Sequence, residues 1–190
     1  MDCRFTQAVK TSILEVEVCG RVLKPICLRH RMVLEEIDSP AVKVSRIMSP
    51  QDLLLACHVL STYDLKEMLV VKADKLDEKM FKHMFIDDDI YKREMDKFIA
   101  YLSYHDCAPT LWDKKNKGST SRGIPSILAC VSSLIKNGFS YEQAWTMPET
   151  EAVWYYVANS IASGSDIDVV GEEDKMAMEM LKNMEVPKKK

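Results

Sequence analysis

Eleven residues limit the possible folds more than any others. Behind Ser49-Pro50-Gln51-Asp52 runs LLLACHVLSTY, residues 53–63. Ser at the cap, Pro in the first turn and Asp at the positive end together start a helix. That helix is apolar on nearly every side, and such a helix holds its shape in water only as the buried centre of a packed domain. The remaining chain has to wrap amphipathic elements around it. With 190 residues, 47% of them apolar, the material suffices for one core and an appendage. Six glycines and seven prolines are too few for a turn-rich all-β architecture.

The flanking segments supply those elements. From Ile13 to Pro25, Leu14, Val16 and Val18 alternate with Glu15 and Glu17, and Cys19-Gly20 offers a turn before Arg21-Val22-Leu23. This predicts a short β-hairpin. Residues 26–37 read as a helix with Leu28, Met32, Leu34 and Ile37 near one face and Arg29, His30 and Arg31 around the rest. Residues 64–104 carry Leu76, Met80, Met84, Met95, Phe98, Ile99 and Leu102 at three- and four-residue steps, which predicts amphipathic helices broken near Ile86 to Asp89. Residues 105–123 lose all periodicity and read as a loop or linker. A helix over 126–136 stops at Asn137-Gly138, and Ser140-Tyr141-Glu142-Gln143 opens another with a capping box. Thr146 repeats the capping logic for a helix reaching Ser163, and a Met-rich helix over 172–184 closes the chain. The expected fold is mainly α: a helical domain with a short N-terminal β-hairpin, a C-terminal helical hairpin and a terminal helix. Its expected organisation is a hairpin and helical core over 1–104, a loop over 105–123 and a helical segment over 124–190.

Most chemistry is missing from this pattern. His30, His58, His83 and His105 stand far apart and form no metal-binding spacing, and Asp87-Asp88-Asp89 lacks the glycine of a calcium loop. His105-Asp106-Cys107 holds the residue types of a thiol hydrolase, but neighbours in sequence point apart. No phosphate-cradling glycine loop and no nucleophile elbow occurs. No catalytic residue, metal ligand or cofactor is predicted, and an enzyme is not expected. A formal charge of −3 argues against binding nucleic acid by bulk electrostatics. The helix-turn-helix outline at 140–159 begins its second helix with Pro148-Glu149-Thr150-Glu151, which puts carboxylates where phosphates would sit. The opening residues lack a basic, then apolar, export signal, no apolar run approaches a membrane span, and the six cysteines are scattered. A cytoplasmic chain with reduced thiols and no membrane contact is the expectation.

What remains points to protein binding. Twelve methionines are the compositional oddity, and flexible thioethers suit surfaces that grip varied apolar partners. Met176, Met178, Met180 and Met184 on the terminal helix are candidate contacts. Trp145 and Trp154, nine residues apart across the Pro148 turn, are candidate core or interface anchors. Self-association is left open as a further mode of contact.

Two stretches carry a resemblance. The hairpin followed by LKPICLRHRMVLEEIDSPAV and MSPQDLLLACHVLST, with the later NGFSYEQAWTMPETEAVWYYVANSIA, resembles the tail assembly chaperones of tailed bacteriophages. The likeness covers about half of the chain, and the charged middle and the KKNKGSTSRG loop are not part of it. It implies a mainly helical, non-enzymatic protein in the host cytoplasm. Such a protein binds the aggregation-prone tape measure protein, or other tail proteins, during viral tail morphogenesis. It transfers no binding residue to a position in this chain. A virion structural component, such as a connector or minor tail protein, is the alternative expectation, and a DNA-binding regulator the third.

Overall fold

A computed structural model describes residues 3–11, 15–43, 47–70, 75–111, 125–165 and 167–171, together with Asp174 and Met180. The chain is mainly helical, with one two-stranded antiparallel hairpin among the described residues. In order they are α1 (Cys3–Lys10), β1 (Val16–Val18), β2 (Arg21–Leu23), α2 (Leu28–Glu36), α3 (Pro50–Leu60), α4 (Leu65–Leu69), α5 (Lys75–Ile86), α6 (Asp88–Tyr104), α7 (Ser126–Lys136), α8 (Tyr141–Thr146) and α9 (Glu149–Ala162).

The hairpin pairs Val16 with Leu23 and Val18 with Arg21. Its two turn residues, Cys19 at φ 52° and Gly20 at φ 75°, are both left-handed, as a type I′ turn demands. A cysteine rarely accepts that conformation, and here a buried carboxylate holds it. Glu94 of α6 receives the Cys19 N–H at 2.8 Å on one oxygen and the Lys97 ammonium at 2.8 Å on the other. Burial pushes the Glu94 carboxyl up, but Lys97, the Cys19 N–H and Arg93 outweigh it and hold the group below the ordinary carboxylate range.

Helix α3 sits at the centre of the first core, as its apolar circumference requires. Ser49 accepts the Asp52 N–H at 3.2 Å and Asp52 accepts the Ser49 N–H at 2.9 Å, closing the capping box ahead of Pro50. Leu53, Ala56, Cys57, Val59 and Leu60 are buried against Leu23, Leu34, Met68, Met84, Phe98 and Tyr101. A second core gathers α7, α8 and α9 around Cys130, Val131, Leu134, Ala144 and Ala152, and Leu28 of α2 reaches into it.

The short strap Lys24–Cys27 joins the two cores and is gripped from both sides. Tyr101 donates its hydroxyl to Lys24 O at 2.6 Å, and the Lys24 N–H reaches Leu60 O at 2.8 Å. From the other side, the Glu149 N–H reaches Ile26 O at 2.7 Å. Two buried histidines accept the next two N–H groups. His105 Nε2 takes Ile26 N–H at 3.2 Å while its Nδ1–H donates to Tyr101 O at 2.9 Å. His30 Nδ1 takes Cys27 N–H at 3.3 Å while its Nε2–H donates to Thr62 O at 2.7 Å. Both rings are therefore neutral and locked in one tautomer, and burial pushes both pKa values down, that of His30 to about 4.

Two expectations are corrected, and one helix is added. Arg29 and His30 do not lie on a solvated face of α2 but are buried between the cores. Arg29 tolerates burial because Glu142 of α8 takes it bidentately at 2.8 and 2.7 Å and Tyr63 O accepts a third bond at 2.7 Å. Thr146 does not cap α9: it is the last residue of α8, its hydroxyl donates back to Glu142 O at 2.8 Å, and Pro148 occupies the cap position. Helix α1 was not anticipated, and it packs on the far end of the chain. Phe5 meets the Trp154 ring edge-on at 5.9 Å, and Arg4 reaches Val170 O at 2.6 Å. The terminal helix expected over 172–184 lies outside the described residues except for Asp174 and Met180, both helical and exposed.

Candidate functional site: the groove between α3 and α5

Helices α3 and α5 run antiparallel. Arg21 of the hairpin binds Asp77 in the first turn of α5 with two 3.0 Å contacts, and the thiol of neighbouring Cys19 meets Cys57 in the second half of α3. At the opposite end Tyr91, just past the α5–α6 break, donates its hydroxyl to Met48 O beside the start of α3. Between them lies a groove of about 360 Å³, lined by Gln51, Leu54, Leu55 and His58 from α3 and Asp77, Glu78 and Phe81 from α5.

The lining follows from helical spacing. Residues 51, 54, 55 and 58 form one stripe along α3, opposite the stripe that carries Leu53, Ala56, Cys57 and Leu60 into the core. On α5 the residues Leu76, Met80 and Met84 turn inward, which leaves Phe81 beside the groove. Phe85, one turn on, sits 6.1 Å from Phe81, ring centre to ring centre. Helix α5 ends there because Asp87 leaves helical geometry to cap α6, accepting the Asp89 N–H at 2.9 Å.

The apolar surface continues past the groove. Ile47, Ile86 and Phe85 are 94%, 82% and 76% exposed, the three highest values for large apolar side chains among the described residues. All three lie at the end where the α5–α6 break meets the start of α3. Single exposed apolar residues are ordinary, but three at one end of an apolar groove, with Phe85 packed beside Phe81, mark that end as an interaction surface. At the other end His58 Nε2 bonds Glu67 O at 2.9 Å, and Asp77 is neutralised by Arg21.

Of the residues singled out from sequence, the two tryptophans fall elsewhere. Trp145 packs into the second core beside Tyr141 at 6.1 Å, and its indole N–H is buried without a hydrogen-bond partner among the described residues. Trp154 donates its indole N–H to Cys107 O at 3.0 Å and carries the Arg4 guanidinium over its ring. The two tryptophans thus serve different contacts, one holding α8 to α7 and the other holding α1 to α9. Met180 is 65% exposed, and Met176, Met178 and Met184 lie outside the described residues. His105 and Cys107 are both buried, and burial raises the Cys107 thiol and lowers the His105 imidazole. Among the described residues no three His, Cys, Asp or Glu side chains come together as a ligand set, and no helix is long and apolar enough to cross a membrane.

Sequence reading missed Ile47, Leu55, Phe81, Phe85 and Ile86. One signal for them was available: Phe85-Ile86 stands immediately before three aspartates, where a helix break leaves apolar side chains without a neighbour. No family model, no curated protein and no solved structure matches this chain.

Proposed function

We propose that this chain is a non-enzymatic assembly chaperone of the phage tail type, and that the α3–α5 groove is where it holds an amphipathic helix of the tape measure protein. The observation that carries the reading is the groove together with the exposed Ile47, Phe85 and Ile86 at its end. A rigid apolar channel between two helices takes the apolar face of a third, with anchors at i, i+3, i+4 and i+7. The Gln51-to-His58 stripe spans about 10 Å, the length of two helical turns. The resemblance of the hairpin, residues 23–42, 48–62 and 137–162 to tail assembly chaperones supports the identity of the partner.

Co-expression tests this reading. A tape measure fragment from the same genome should stay soluble with the native chain and precipitate with Phe81→Asp or Phe85→Asp. Phe85 is exposed, so its replacement leaves the core intact. Equal rescue by Phe85→Asp, Phe81→Asp and the native chain would remove the groove from the mechanism.

A further inference from the structure

We infer that the strap Lys24–Cys27 is an acid-released clasp: protonation of His30 and His105 frees the Ile26 and Cys27 N–H groups while both cores stay folded. The strap carries three N–H groups, because Pro25 has none. That of Lys24 goes to Leu60 O, and the other two go to ring nitrogens, Ile26 to His105 at 3.2 Å and Cys27 to His30 at 3.3 Å. A backbone amide can only donate, so each of those nitrogens must be bare. A proton there sets N–H against N–H and adds a buried charge, which turns both bonds into repulsions. The other nitrogen of each ring is already spent on a carbonyl, Tyr101 O or Thr62 O, so turning the ring over brings no relief.

The groups facing the rings do not compensate. His30 stands beside Arg29 and stacks on Tyr63 at 5.3 Å, and the Tyr101 ring lies 4.7 Å from His105. Glu142 of α8 is committed to Arg29. Glu149 of α9 has Arg31 at 3.9 Å, and burial raises its carboxyl, so acid relieves its cost. Asp106, next to His105, is exposed, and burial raises the thiols of Cys27, Cys107 and Cys130 so that they stay neutral. The cores themselves do not rest on these two bonds. The first is held by apolar packing of α3 on Phe98 and Leu34, the second by that around Val131, Leu134 and Ala152. Leu28 and the Arg29–Glu142 pair still tie α2 to the second core when the strap lets go. Acid thus opens the strap as a local unit.

Amide hydrogen exchange of the full chain tests this, followed by NMR at about pH 7 and about pH 5, each with and without about 1 M urea. Rates are divided by those of an unstructured peptide at the same pH. Over that interval the histidines act without Glu94 and Glu142, which are held below the ordinary carboxylate range. Opening returns His30 from about 4 to 6.5, which alone multiplies the open population about twentyfold between the two pH values. Ile26 and Cys27 should therefore exchange at least about twentyfold faster at the lower pH, with little response to urea, because few residues are exposed. Val59 of α3 and Leu134 of α7 should stay slower and keep the steep urea dependence of whole-chain unfolding. Strap amides that match Val59 and Leu134 in rate and urea dependence at about pH 5 would overturn the inference, since the cores would then open with the strap. Strap rates that do not change between the two pH values would overturn it as well.

Discussion

Acid should weaken this protein well above the range where its carboxylates titrate, and His30 is the main reason. Its ring is fully buried and holds the strap between the two cores by accepting the Cys27 N–H and donating to Thr62 O. Burial favours the neutral ring, with nearby Arg29 acting in the same direction, and the pKa moves from 6.5 to about 4. The folded state therefore binds this proton less readily than the unfolded chain. The stabilisation is complete above the unfolded value of 6.5 and falls away as the pH drops toward 4. At about 1.4 kcal/mol per pKa unit, the full loss is about 3 kcal/mol. His105 shifts the same way and adds to the loss. Glu149 opposes it, because burial raises its carboxyl and acid relieves that cost. Glu94 enters only lower, since its depressed pKa makes its stabilisation fail below the ordinary carboxylate value.

Urea unfolding at a series of pH values measures the effect, with His30→Asn compared at each point. The variant should be less stable near neutrality but should lose about 3 kcal/mol less than the native chain between pH 6.5 and 4. Imidazole NMR of the folded protein should place the His30 midpoint near 4. A midpoint near 6.5 in the folded state, or identical pH slopes for both proteins, would refute the argument.

Other perturbations follow from single contacts. Trp154→Ala removes the Phe5 packing, the Arg4 contact and the bond to Cys107 O, and should cost about 3 kcal/mol in urea unfolding. The same variant should open Lys10 at the end of α1 to trypsin before the rest of the chain. Gly20→Ala forces a side chain into φ 75° with Leu76 3.2 Å from its Cβ, and should cost about 1–2 kcal/mol, read in the same assay. Glu94→Gln weakens the Cys19 and Lys97 contacts together and should cost about 1–2 kcal/mol at neutral pH, measured the same way, with less sensitivity to acid below pH 4.5.

What was legible in the sequence is the chemistry that acts within a few residues. Ser49 with Asp52 and Ser140 with Gln143 announce α3 and α8, because each box satisfies its own helix end without outside help. The α7 limits at Ser126 and Lys136 and the break between Ile86 and Asp88 were readable for the same reason. Contacts across long stretches of chain were not. Helix α1 carries no acidic first turn, and its partner Trp154 lies far along the sequence. The burial of Arg29 depends on Glu142, and that of His30 on Thr62, so their charge and polarity pointed to solvent until the partners were in place. The same limit hid the groove. The LLL run of α3 reads as buried all round, and only the placement of α5 leaves Leu55 half-buried beside an open channel.

Methyl NMR of the full chain, free and saturated with a tape measure fragment, tests the central claim most directly. The account predicts that the methyl groups of Ile47, Leu54, Leu55 and Ile86 shift on binding, while those of Leu128 and Ile161 on α7 and α9 stay in place. Deleting residues 172–190 should leave those shifts unchanged. Shifts confined to Leu128 and Ile161, or binding that vanishes with the deletion while Ile47, Leu55 and Ile86 never move, would contradict it.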